Sequence, residues 1–244
     1  MSQPADIQVL FCDDALLVVN KPAGLSTLPD GYNATLPHIK SVLEQQAGPL
    51  WIVHRLDKET SGVLILARSA EAHRSLNTQF EKHQVSKIYH ALVVGNPEWQ
   101  DKTVSQPLRP NGDRQHRTVI DPQGGKPAIT HLKVLQRLGR YSLVEAILET
   151  GRTHQIRAHL YALGLSILGD KLYGKRSILR DGQKVHQSYH ENDPLIGLAE
   201  SMGLHAISLE LDHPLTGERM KFTAPYPDEF MAVLEQLRLH AFGG

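Results

Sequence analysis

The chain has 244 residues, 41% apolar and 21% charged, with 26 Lys and Arg balanced by 26 Asp and Glu. This composition excludes a dominantly disordered, collagenous or low-complexity chain and allows a sizeable core; no apolar run approaches the ~20 residues of a membrane-spanning helix, and no secretory pattern opens the N-terminus. One cysteine, Cys12, excludes an internal disulfide or a multi-thiolate zinc site and fits a reducing cytoplasm.

Ile7 to Phe11 and Leu16 to Val19 predict short strands around a Cys12-Asp13-Asp14 turn. Asn20-Lys21-Pro22-Ala23-Gly24 predicts the stop of the second strand, because Pro removes a ladder donor and Gly allows a left-handed turn. Leu36, Ile39, Val42 and Leu43 fall at helical spacing, and Gly48-Pro49 ends that helix. Val63 to Ala67 reads as a buried strand. Ser69 caps the next helix, in which His73, Leu76, Asn77 and Phe80 lie near one stripe, and Ile88 to Val94 is again a strand. Trp99 to Gly125, polar and interrupted by Pro107, Pro110 and Pro122, predicts loop or irregular strand.

Ile129 to Gln136 and Tyr141 to Leu148 predict a hairpin turned near Leu138-Gly139-Arg140. Thr153 is the expected cap of a helix burying Ile156, Leu160 and Leu163, with Gly164 as its left-handed stop. Tyr173 to Ser201 is polar and predicts a long loop. Ala206 to Leu211 and Met220 to Phe222 predict strands around Pro214-Leu215-Thr216-Gly217, and the last helix runs from about Asp228 to Leu239. Strands and helices mix without regular βαβ alternation, which predicts an α+β fold with an antiparallel or mixed sheet. Neither an internal repeat nor an interdomain linker is visible.

Balanced total charge argues against a nucleic-acid binder, which is usually basic. The distribution changes that reading: Lys102 to Lys184 holds fifteen Lys and Arg against six Asp and Glu, and the acidic excess lies outside it. Phosphate responds to a local field rather than to the sum. Ordinary mixed surface charge is the competing account.

Two segments are dense in chemistry-bearing residues. His54-Arg55-Leu56-Asp57-Lys58-Glu59-Thr60-Ser61-Gly62 sets a carboxylate and a guanidinium on a loop feeding a rigid strand. Asp57 is a candidate nucleophile or base beside a cation such as Arg55, or else a turn aspartate that caps local N–H groups. Gly151-Arg152-Thr153-His154-Gln155-Ile156-Arg157-Ala158-His159 sets His154, Arg157 and Tyr161 on one helical face. That face is an anion site near a helix start, or a plain solvated face. His154 with His159 and His186 with His190 invite a metal, but no His-Glu-x-x-His run supports one, and neither a Walker loop nor Gly-x-Gly-x-x-Gly is present.

Together the two segments resemble the signatures of the RluA-type pseudouridine synthases. Asn20-Lys21-Pro22-Ala23-Gly24, Lys87-Ile88-Tyr89, Gly125-Lys126-Pro127-Ala128 with Thr130, Leu168-Gly169-Asp170, Tyr173-Gly174, Leu204-His205-Ala206 and His213-Pro214 follow in the family's order, from about Asp6 to Phe230. The resemblance implies the pseudouridine synthase catalytic fold. This is a long, mainly antiparallel mixed sheet in two lobes flanked by helices around a central RNA-binding cleft, with residues 1–244 as one catalytic domain. It implies isomerisation of uridine in tRNA or rRNA stem-loops without cofactor or metal, in the cytoplasm, by a monomer with no membrane or obligate protein partner. No room is left for the N-terminal S4-type domain of many relatives, and 175–202 is expected to be an inserted loop.

The resemblance also assigns residues. Asp57 takes the place of the essential aspartate, attacking a carbon or removing a ribose proton. Tyr89 matches the tyrosine stacked on the target base, and Arg157 the arginine paired with the aspartate. Arg55 matches the arginine that fills the gap left by the extruded nucleotide. His54, Lys21, Thr60, Arg152 and His154 are the further substrate-binding positions. A base must leave its stack before it can turn, at a cost of a few kcal/mol, and an aromatic platform recovers ~1–3 kcal/mol. A non-catalytic RNA-binding protein or RNA chaperone of the same fold is the alternative; it predicts decay at the aspartate, tyrosine or arginine, and all three are intact.

Overall fold

The computed structural model describes residues 7–29, 33, 35–180, 183–188 and 201–242. In chain order, β1 (Gln8–Cys12) and β2 (Leu16–Lys21) form a hairpin. Its turn is held by the Asp13 carboxylate, which accepts from the backbone N–H groups of Ala15 and Leu16 at 2.8 and 2.7 Å. The second strand does not stop at Asn20: Asn20 and Lys21 still pair with Val63 and Gly62 before Gly24, at φ +81°, turns the chain. Helix α1 (Ile39–Ala47) starts at a His38–Ser41 capping box and stops at Gly48, φ +74°. Then come β3 (Trp51–Ile52), the wholly buried β4 (Ser61–Ala67), α2 (Ala70–Glu81) capped by Ser69, and β5 (Ser86–Val94).

The polar stretch after β5 is more regular than its sequence predicts. It contains β6 (Asp101–Ser105), β7 (Leu108–Arg109) and β8 (Val119–Ile120). Only Val104 of β6 is buried, so the strand lacks the alternation that marks a half-buried one. β9 (Ile129–Leu138) and β10 (Tyr141–Leu148) form the predicted hairpin, turned at Gly139, φ +66°. Helix α3 (Gln155–Ala162) follows, then β11 (Ser166–Ile167).

Residues 175–180 and 183–188 are not loop: they form β12 (Lys175–Arg180) and β13 (Gln183–Ser188), an antiparallel pair in which Ile178 faces Val185. The expected loop also took in 181, 182 and 189–200, which lie outside the described residues. β14 (Leu204–Asp212), β15 (Arg219–Thr223) and α4 (Asp228–Phe242) complete the chain.

The molecule is α+β with mostly antiparallel strands, and it divides into two compact units. The first comprises Met1–Tyr89 and His205–Pro227. In it β2 lies antiparallel to β1 and β4, β4 runs parallel to β14, and β14 is antiparallel to β15. Leu16, Val18, Val63, Ile65, Leu76, Leu209 and Leu211 form its core against α2. The second comprises His90–Leu204 and Asp228–Gly244. There β9 pairs with β10 and β6, and α3 packs through Ala158 against Leu108, Ala128 and Tyr173.

Thr153 is not the cap of α3. The N-cap is His154, in the left-handed conformation at φ 51°, with no side-chain cap bond of its own. Gln155, the first residue of the helix, instead ties down the segment that leads into it: its Oε1 accepts from the Arg152 N–H at 3.0 Å and the Thr150 hydroxyl at 2.8 Å, and its Nε2 donates to the Ile129 carbonyl at 2.9 Å. Ile156 and Leu160 are buried as expected, but Leu163 is only partly so, and the polar Gln155, Arg157 and His159 are buried with them.

Candidate active site

In the first unit, His54, Arg55, Asp57 and Thr60 all lie on the loop from β3 to β4. The opening segment after β2 holds that loop. Lys21 is fully buried, and its ammonium donates to the carbonyls of Pro22 at 2.8 Å, Leu25 at 2.7 Å and Lys58 at 3.0 Å. The Gly24 N–H also reaches the Lys58 carbonyl, at 2.8 Å. Thr27 donates its hydroxyl to the Leu56 carbonyl at 2.9 Å and accepts the Leu56 N–H at 3.3 Å. Asp57 thus sits between two clamped neighbours, and the Thr60 N–H closes the turn on its carbonyl at 3.1 Å.

Burial brings the Lys21 ammonium down to about 7, against the upward pull of the Glu59 and Asp57 charges. Three carbonyls fill its three N–H bonds. A substrate contact at Lys21 would need an exposed ammonium, so the geometry makes it a residue that holds the Asp57 loop. Thr60 is buried in the same way, whereas Arg55 is exposed and Asp57 half-buried.

Tyr89, on β5, is buried, and burial together with the nearby Asp57 charge pushes its phenol well above the usual tyrosine range. The structure therefore brings Asp57, Tyr89 and Lys21 into one electrostatic neighbourhood. His54 turns inward: its ring stacks on Phe80 at 4.9 Å, and its Nε2 accepts the Ile65 N–H of β4 at 3.0 Å.

Burial, then the Lys87 charge, depress His54 to about 3. Protonation would also cost the bond to Ile65. The unfolded chain takes up this proton first, near 6.5, so the contribution is complete above that value and is lost as pH falls toward 3. In urea titrations the wild type should lose up to about 2 kcal/mol more than His54→Gln, whose amide oxygen can accept from Ile65 without titrating, between about pH 6.5 and pH 4.5. Parallel pH profiles for the two proteins would refute this.

In the second unit, α3 carries Arg157 and begins beside Arg152 and His154. Arg157 is buried in a two-pronged pair with Asp170: Nε to Oδ2 at 2.7 Å and Nη2 to Oδ1 at 2.9 Å. Its guanidinium lies over the Tyr173 ring, 5.0 Å from the centroid. The His154 ring meets the same tyrosine edge-on at 5.9 Å, and Tyr161 meets it at 5.8 Å. The face of His154, Arg157 and Tyr161 is therefore packed rather than solvated. Arg152 donates its Nε to the Pro127 carbonyl at 3.0 Å.

Asp170 and Tyr173 are structural partners that the sequence names only as members of a motif, without a task. Among the described residues no group of three or more His, Cys, Asp or Glu is placed to hold a metal, and no helix is long and apolar enough to cross a membrane.

Residues 15–162 match the family described as RNA pseudouridylate synthase. The ribosomal large subunit pseudouridine synthase D of Pseudomonas aeruginosa is 38% identical over 98% of this chain and 74% of its own length. The uncharacterized RNA pseudouridine synthase YlyB of Bacillus subtilis is 37% identical over 98% of this chain and 75% of its own. Among solved structures, human RNA pseudouridylate synthase domain containing 4 superposes with a TM-score of 0.74 at 27% identity, covering 95% of this chain and 93% of that one.

Proposed function

The chain belongs to the RNA pseudouridylate synthase family, and from that premise we propose that it isomerises uridine in structured RNA, with large-subunit ribosomal RNA the leading substrate and tRNA the second. The reaction breaks the N1–C1′ and C5–H bonds of one uridine and forms C5–C1′ and N1–H bonds, so the composition is unchanged overall. Asp57 acts on the extruded nucleotide. Tyr89 is the stacking surface, and Arg157 supplies the positive charge of the catalytic set. Arg55 enters the gap in the RNA stack, where a planar cation both stacks and meets phosphate. Lys21, Thr60 and His54 hold the loop, and Arg152 and His154 are the remaining substrate contacts. The protein acts in the cytoplasm as a monomer, without metal or cofactor.

The observation that carries this reading is the construction around Asp57. A half-exposed carboxylate is fixed between backbone anchors at Leu56 and Lys58, and its charge reaches a buried tyrosine. Such preorganisation is what a reacting group needs and what a surface turn does not. The leading place of ribosomal RNA rests on the names of the relatives that match almost the whole chain.

The test is product formation. Purified protein is incubated with transcribed rRNA and tRNA, and pseudouridine is mapped in total RNA from cells with and without the gene. A site that disappears with the gene and is restored by the purified protein supports the reading. Binding without product on every cellular RNA would favour the RNA-binding alternative.

A further inference from the structure

The Leu168-Gly169-Asp170 and Tyr173-Gly174 segments have no role in the scheme above, yet the second unit is built around them. The Asp170 carboxylate is completely buried. Its Oδ1 accepts from the backbone N–H groups of Leu172 and Tyr173, both at 2.9 Å, besides Nη2 of Arg157; its Oδ2 accepts from Nε of Arg157. The turn that presents it is fixed as well. The Asp170 N–H donates to the Ile167 carbonyl at 3.1 Å, and Gly169 stands at φ +75° where a Cβ would run into the Ser201 carbonyl. Tyr173 closes one face of the guanidinium, and its own hydroxyl is pinned by the Thr118 N–H at 2.8 Å and carbonyl at 3.1 Å.

A buried ion pair is poor evidence for stability, because desolvation offsets much of the attraction. What a two-pronged arginine–carboxylate pair does supply is a fixed plane and direction. Arg157 is gripped along one edge by Asp170 and on one face by Tyr173, and the grip is itself anchored to backbone.

We infer that Asp170 is the positioning residue for Arg157, orienting its guanidinium for the isomerisation while contributing little to RNA affinity. The inference rests on the reading of Arg157 as a catalytic residue. Asp170→Asn keeps the shape and the Oδ1 acceptor for Leu172 and Tyr173. It turns an N–H toward the Nε–H of Arg157, donor against donor, and tilts the fork.

The experiment compares wild type, Asp170→Asn, Arg157→Lys and the double variant on one RNA. It measures the single-turnover rate at saturating enzyme, the RNA Kd, and the thermal midpoint, with rates taken well below that midpoint. The expected result for Asp170→Asn is a rate loss of about 30- to 100-fold, with Kd within about threefold of wild type because the lost interaction belongs to the transition state. Added to Arg157→Lys, it should cost less than about threefold more, as for two groups acting as one.

A purely structural role would instead lower the thermal midpoint and spare the rate. If Arg157→Lys is slow while Asp170→Asn works at the wild-type rate, or if the two losses multiply in full, the inference is overturned and the reading of Arg157 stands. Arg157→Lys at the wild-type rate would overturn that reading and the inference with it. Should Asp170→Asn not fold, Asp170→Glu keeps the charge and displaces the carboxylate by one methylene. Loss of rate at unchanged Kd supports the inference, and the wild-type rate overturns it.

Discussion

Asp57→Asn should slow pseudouridine formation at least about a thousandfold, the size expected when a group acting directly on the reacting atoms is removed, with RNA affinity within about threefold of wild type. The bonds that hold this turn run through backbone and through Lys21 and Thr27: the Thr60 N–H to the Asp57 carbonyl, Lys21 to the Lys58 carbonyl, and Thr27 to Leu56. Asn has the same shape and leaves all of them in place. What changes is the charge. Product at the wild-type rate would remove Asp57 from the chemistry. A large loss of affinity with the rate intact would make it a binding residue.

The elements most legible in the sequence are those whose burial is local. Val63 to Ala67 reads as a strand because every residue is apolar, and the structure buries all of β4. Ser69 caps α2 because its hydroxyl accepts an N–H three residues ahead, from Ala72 at 3.1 Å. Less legible are polar side chains whose partners are assembled by tertiary structure. The resemblance makes Lys21 a substrate-binding position, but its ammonium is taken up by three carbonyls, one of them on residue 58. Thr153 is a reasonable cap, but the N-cap falls on His154, and Gln155 is held to β9 through the Ile129 carbonyl.

The grip of Asp170 on Arg157 spans a helix end and a turn, which side-chain spacing along α3 cannot reveal. The β12–β13 hairpin did have a signal, the Asp181-Gly182 dipeptide between its strands, obscured by the polar composition around it. The proposed roles of Asp57, Tyr89 and Arg157 come from resemblance rather than spacing: nothing in the periodicity of β5 distinguishes Tyr89 from a core tyrosine.

Gly62→Ala is the substitution expected to damage the fold most, by about 3–5 kcal/mol, from a strained backbone conformation and a backbone collision acting together. Gly62 stands at φ +114°, and a Cβ there would press into the Ala206 carbonyl oxygen and lie 2.6 Å from the Ala206 nitrogen. The closeness follows from the parallel ladder of β4 and β14, in which Ser61 faces His205 and Gly62 faces Ala206. The ladder has little room to yield. Ser61 Oγ and His205 Nδ1 lie 2.9 Å apart, and His205 Nε2 lies 3.2 Å from the Ala224 carbonyl. With the Nε2–H donating to that carbonyl, the histidine is the tautomer that accepts the serine hydroxyl proton. Separating the strands to admit a methyl group would stretch the Ser61–His205 bond inside a buried site.

A loss of that size is a large part of the total stability of a typical domain, and a lower urea midpoint at unchanged slope would measure it. Gly24→Ala is the control. Gly24 also has positive φ, at +81°, but nothing lies within 4 Å of its Cβ position, so only the conformational cost of about 1 kcal/mol should appear. Equal midpoints for the two variants would show that the approach of β4 to β14 is not the constraint. If the difference holds, any folded Gly62→Ala protein should also be slow: the turn carrying Asp57 enters β4 through Thr60 and Ser61, and a displaced strand start moves the carboxylate with it.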